Sequence, residues 1–181
     1  MYKLCKTEKT AKRQRTIEHK MLELMKQKPY ESITVTELCE SLDMPRKAFY
    51  RYFDSKESTL KGLIEHTLSE FVEAGKEAVL PRSAQRELEQ FFVFWYERRE
   101  LLSVLDKNGM LGMILDSSVS FPINNIVSLA KILPDDDEYA RVHIFRFAIG
   151  GIVSIMLDWY FSKKTLKKSK CQFFYSSSSL F

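Results

Sequence analysis

The segment Thr34 to Phe53, TVTELCESLDMPRKAFYRYF, contains two short helical patterns with a turn of only a few residues between them. Val35, Leu38, Cys39 and Leu42 follow the i, i+3, i+4, i+7 spacing of a buried helix face and predict a helix of about two turns. Thr34 stands in the capping position with Glu37 three residues on, the pattern of a reciprocal capping box. Asp43 suits a turn, because Asp tolerates left-handed backbone better than most residues. Pro45 suits the first position of a following helix, where its missing amide is no loss.

Further helical patterns flank this pair. Between about Glu8 and Lys28, Ile17, Met21, Leu24 and Met25 form an apolar stripe, and Pro29 ends the helix they predict. Asp54 or Ser55 can cap a fourth helix through Leu60, Leu63, Ile64, Leu68 and Phe71 toward Val79, with Pro81 beyond it. Helices are expected from about Ser83, through Leu101 to Asp106 with Asn108 and Gly109 as the stop, and again after Met110 until Phe121 and Pro122. The acids of PDDDE then suit the start of a long helix from about Asp136 to Lys164. The serine-rich tail after it reads as frayed. With six glycines and five prolines in 181 residues, the expected class is all-α.

Charge is unevenly placed. Residues 1–61 hold fourteen Lys and Arg against nine Asp and Glu, whereas the remainder holds fourteen against fifteen. The excess puts an anionic partner at the N-terminal third. Three widely spaced cysteines, Cys5, Cys39 and Cys171, suggest neither a disulfide framework nor zinc, and Cys39 reads as a small buried hydrophobe. His19, His66 and His143 lack ligand-spaced partners, so no metal site is expected, and no cofactor is implied. No nucleophile, glycine loop or carboxylate pair forms a catalytic motif, so an enzyme is not expected. The basic N-terminus has no apolar run behind it, which points to the cytoplasm. The apolar run Phe147 to Leu157 is about half the roughly 20 residues of a membrane span, so a buried or intersubunit helix is expected there and no membrane contact.

A capped helix, a short turn and a second basic, aromatic helix have the form of a helix-turn-helix. Helical spacing turns Phe49 and Phe53 inward with Leu38, Leu42 and Met44, leaving Arg46, Lys47, Ala48, Tyr50 and Arg51 toward the outside. The segment ITVTELCESLDMPRKAFYRYFDSKESTL, with YRYF followed by SKE, resembles the TetR family of bacterial transcription regulators over about residues 8–62. The resemblance implies an N-terminal three-helix DNA-binding domain over residues 1–62, continuing into the fourth helix, and a helical dimerisation and effector domain over 63–181. It implies that Thr36 and Lys56 bind phosphate, that Lys47 and Ala48 approach base edges with Arg46 beside them, and that Tyr50 and Tyr52 touch phosphate or base methyls. The family commonly has Gly where this chain has Asp43, and a Ser cap with a Lys-Gly-like pair where it has Pro45, Arg46 and Lys47. The base preference is therefore not carried over. Lys3, Lys6, Lys9, Lys12, Arg13 and Arg15 are further candidates for phosphates or the minor groove.

The same resemblance implies a homodimer on a palindromic double-stranded operator, acting as a repressor relieved by a small-molecule or protein effector. Gly150 and Gly151 inside an apolar helix suggest close approach of another helix, with Ile149, Ile152, Val153 and Met156 beside them. That helix is either the dimer surface or buried in its own subunit. An effector pocket would be lined by Phe91, Phe94, Trp95, Met110, Met113, Ile114 and Trp159, residues that serve equally as plain core. The alternative function is a protein-interaction co-regulator that keeps the fold without reading an operator.

Overall fold

The computed structural model describes residues 7–76, 84–120 and 137–162. Expectations for Lys3, Lys6, Cys5, Val79, Pro81, Phe121, Pro122, Asp136, Cys171 and the serine-rich tail lie outside these residues. Among the described residues the helices are α1 (Glu8–Gln27), α2 (Val35–Glu40), α3 (Arg46–Phe49), α4 (Lys56–Lys76), α5 (Ala84–Glu97), α6 (Arg99–Lys107), α7 (Gly112–Val119) and α8 (Glu138–Ser162), with a single 3-10 turn at Tyr30–Ser32. The all-α class is the class observed.

The apolar stripe of α1 packs on α4, α4 also packs on α7, and α7 in turn lies against α8. One cluster of buried side chains follows this path, from Ile17 and Met21 through Leu60 and Ile64 to Ile114, Val153 and Met156. Because α4 runs unbroken from Lys56 to Lys76, the division after residue 62 falls inside a continuous helix. Each fully buried Leu or Ile along it contributes about 1.5–3 kcal/mol.

Local chemistry sets the helix ends. At α1, Thr7 and Thr10 form a reciprocal cap in which each hydroxyl accepts the other's amide at 3.3 Å. At α2 only half of the expected box forms. The Thr34 hydroxyl accepts the Glu37 amide at 3.1 Å, but the Glu37 carboxylate is taken up by the Lys28 ammonium. A full charge outcompetes a backbone amide for that carboxylate. The Ser55 hydroxyl accepts the Ser58 amide at 3.2 Å, the expected cap of α4. Gly109 closes α6 at φ 68°, a conformation that favours glycine.

The helix α8 holds the apolar run expected to be too short for a membrane. The whole helix is 25 residues and, alone among the described residues, is long and apolar enough to span one by length and composition. Only 17% of its most apolar stretch is buried. Phe145, Val153 and Met156 turn into the core, while Ile144, Phe147 and Ile155 stand 45, 84 and 60% exposed.

Candidate nucleic-acid interface

The turn between α2 and α3 is closed by backbone bonds. The amides of Leu42, Asp43 and Met44 donate to Cys39, Glu40 and Cys39 carbonyls at 3.1, 3.1 and 3.0 Å. Asp43 takes φ 47°, the left-handed geometry expected of it. Pro45 sits one position before the first helical residue, at φ −64° and ψ 140°. From α1, Arg13 Nη2 donates to the Leu42 carbonyl at 3.3 Å, so this arginine braces the turn, a role its sequence position did not suggest.

The second helix is short. Regular α3 geometry covers only Arg46–Phe49, and turns carry the chain through Tyr50 to Tyr52. What fixes this brief segment is Phe49, which is fully buried, with the Phe53 ring 5.7 Å away and the Tyr50 ring edge-on at 5.4 Å. Phe53 and Leu38 are also fully buried, and Met44 nearly so, as their spacing predicted; Leu42 packs against them half-buried.

Thr36, Arg46, Lys47, Tyr50 and Arg51 are exposed, whereas Ala48 and Tyr52 are half-buried and packed on the core. Arg46 Nη2 donates to the Tyr50 hydroxyl at 3.3 Å across one helical turn. The arrangement presents a guanidinium, an ammonium, a phenol and a threonine hydroxyl on a scaffold fixed from beneath. Such groups suit phosphate oxygens and base edges.

Lys56, expected to bind phosphate, is engaged within the fold. Its ammonium donates to the carbonyls of Tyr30, Glu31 and Ile33 at 3.0, 3.3 and 3.1 Å and lies 4.2 Å from the Tyr30 ring centroid. An ammonium has three protons to donate, and these three carbonyls match that number. Burial and the neighbouring Glu57 and Glu31 carboxylates push the Tyr30 phenol well above its usual value.

Of the residues expected at a dimer surface, Val153 and Met156 are buried in the subunit's own core, and Gly150 faces Val119, where an added Cβ would meet Cγ1 at 3.9 Å. That is ordinary contact rather than close approach. Ile149 and Ile152 are half-buried, and Gly151 is exposed with nothing within 4 Å of an added Cβ. The residues expected to line an effector pocket lie among aromatic side chains. Trp95 and Ile114 are fully buried. The Phe91 and Phe94 rings stand 6.3 and 5.7 Å from Trp95, while Met110 and Met113 are half-buried. Trp159 stands edge-on to Phe92 and Tyr96 at 5.8 and 6.2 Å. A concavity of about 430 Å³ lies elsewhere, along Lys12, Arg15, His19 and Lys20 of α1 beside Leu42. No group of His, Cys, Asp or Glu among the described residues could hold a metal ion.

Two interhelical groupings were not anticipated. Glu18 of α1, fully buried, meets His66 of α4, and Tyr30 joins Asn108 of α6. Glu18 carried a readable signal: a charged residue between Ile17 and Met21, in register with the apolar stripe.

Residues 21–61, from mid-α1 into the start of α4, match the family model described as bacterial regulatory proteins, tetR family. No curated protein and no solved structure matches the chain. The segment that holds Thr36, Arg46, Lys47 and Tyr50 thus lies within the stretch that matches this family's model, and the match supports a helix-turn-helix DNA-binding regulator of the TetR type.

Proposed function

We propose that the chain is a dimeric, sequence-specific repressor of the cytoplasm, released from a palindromic operator by an effector bound in residues 63–181. The observation that carries the DNA reading is the exposure of Thr36, Arg46, Lys47 and Tyr50 around the buried Phe49. Charge supports it, since the cationic excess lies within residues 1–61. In this reading Lys47 and Ala48 approach base edges, Arg46 and Thr36 hold phosphate, and Tyr50 and Tyr52 supply hydroxyl or ring contacts. Lys56 acts through the Tyr30 turn. Anisotropy titrations of labelled duplex at several salt concentrations test it: log K falls linearly with log salt, and a flat response counts against phosphate binding.

The second copy is assigned to α8. Ile144, Phe147, Gly151 and Ile155 recur at spacings of three and four, opposite the face that Val153 and Met156 turn to α7. A helix apolar on both faces is normally covered on both. A C2 pairing covers the outer stripe with itself, and the bare Gly151 allows backbones to approach.

For the effector, the supporting observation is polar. Trp95 Nε1 and Ser118 Oγ are buried without a hydrogen-bond partner among the described residues. An effector carrying an acceptor beside Trp95 relieves a cost of about 1–3 kcal/mol.

A further inference from the structure

The turn that leads into α2 is held from two sides. On one side Lys56, the first residue of α4, donates to the carbonyls of Tyr30, Glu31 and Ile33. On the other, the Tyr30 amide donates to Asn108 Oδ1 at 2.7 Å, a bond between residues 78 apart in sequence. Asn108 is itself fixed, because its Nδ2 donates to the Val104 carbonyl at 2.8 Å, one turn back along α6. It occupies the C-cap of α6, and Gly109 follows directly. The Tyr30 side chain is buried between these elements. Lys26 of α1 and Glu100 of α6 add an ion pair at 2.8 Å nearby.

We infer that Asn108 is a positioning residue for the DNA-binding unit: the end of α6 grips the Tyr30 turn directly and, with Lys56, sets the placement of α2 and α3. The inference rests on the DNA-binding reading only for its functional consequence. The physical reason is stiffness at a short lever. Only Ile33 and Thr34 separate the 3-10 turn from the first residue of α2, so a turn clamped at its amide and at three carbonyls has little freedom to let α2 rotate. A shift of α6 relative to α4 must stretch either the Asn108 bond or the Lys56 bonds, and both act on the same turn. The C-terminal helices therefore reach the recognition segment by a route separate from the body of α4.

The test uses the full chain with Asn108→Ala, and with Asn108→Asp, which keeps an oxygen for the Tyr30 amide and replaces the donation to Val104 by a second, accepting oxygen. Amide hydrogen exchange is followed at Tyr30, Leu38, Met44 and Phe53, with Ile114 and Ser120 of the α7 region as internal references. The expected result for Asn108→Ala is exchange about 3- to 10-fold faster in the first group, the scale of one lost hydrogen bond, with the α7 references unmoved. Asn108→Asp returns the rates toward wild type. On a duplex enriched by the wild-type protein, Asn108→Ala binds about 3- to 10-fold more weakly at an unchanged salt slope, because no phosphate contact is removed. Exchange that rises equally at Ile114 and Ser120 would show general destabilisation and overturn the inference. So would unchanged rates, or Asp behaving as Ala. If the wild type enriches no duplex, the DNA reading fails while the exchange pattern still decides whether Asn108 positions α2 and α3.

Discussion

His66 Nδ1 lies 2.8 and 2.9 Å from the two carboxylate oxygens of Glu18, joining α4 to α1 at a point where Glu18 is fully buried. Arg15 Nη1 stands 3.7 Å from the same carboxylate, and Glu70 of α4 contributes a repulsive charge. Desolvation by burial is the largest effect and raises Glu18 to about 8, with Arg15 opposing it and Glu70 adding to it.

Buried Glu18 makes stability depend on pH. Folded Glu18 keeps its proton up to about pH 8, whereas an unfolded glutamate loses its own near 4.3. A raised folded value means that the contribution is fully present below the unfolded value and is lost as pH rises through about 8. Urea unfolding from pH 5 to pH 8 therefore finds wild type losing stability relative to Glu18→Gln, which has no carboxyl to titrate. A difference between the two that stays constant with pH removes this account.

Phe49→Ala and Tyr50→Ala separate packing from contact. The first empties a fully buried site under α3 and costs about 3–5 kcal/mol, enough to lower the unfolding midpoint steeply. Tyr50 is 41% exposed, and its loss costs roughly 1 kcal/mol of stability or less while weakening DNA binding. Denaturant curves alongside duplex titrations check both, and equal stability losses would contradict the division into faces.

Much of that division was legible in the sequence, because it rests on local periodicity. Leu38, Phe49 and Phe53 recur at helical spacing with capping and turn residues where backbone geometry needs them, and each takes its expected place. What was not legible is long-range polar pairing. Glu37 satisfies the capping-box pattern, yet nothing local says that Lys28 will claim its carboxylate. Lys56 sits in a phosphate-contact pattern, yet the Tyr30 turn folds back under it. On α8 the composition announced an apolar helix, but which face meets α7 depends on a rotation that near-uniform apolarity does not fix, so Val153 was grouped with Gly151.

Lys56→Met should act on the fold before it acts on DNA. Removing three carbonyl contacts costs about 1–3 kcal/mol, the scale of hydrogen bonds to a charged group. The slope of log K against log salt stays as in wild type, whereas loss of a phosphate contact lowers it by about 0.9. A lowered slope with intact stability would return Lys56 to the DNA surface.

Phe147→Asp tests the second copy. The side chain is 84% exposed in the single chain, so the substitution leaves the subunit folded while placing like charges opposite each other across a two-fold axis. Sedimentation should show wild-type dimer and variant monomer, each with unchanged helical circular dichroism. Flotation of the wild type with vesicles, in place of dimer formation, would assign the face to a membrane instead.

Lys47→Ala distinguishes reading from holding. A base contact costs about 1–3 kcal/mol when removed and relaxes preference at the positions it reads. Thr36→Ala, in contrast, weakens all duplexes alike.

Enrichment of random duplex DNA by the full-length protein at moderate salt tests the central claim most directly. The account predicts a two-fold symmetric motif whose half-sites lie about one helical turn, roughly 34–36 Å, apart, degraded at defined positions by Lys47→Ala. A folded wild-type protein that enriches no sequence would contradict it, and would favour a co-regulator that keeps the helix-turn-helix without reading an operator.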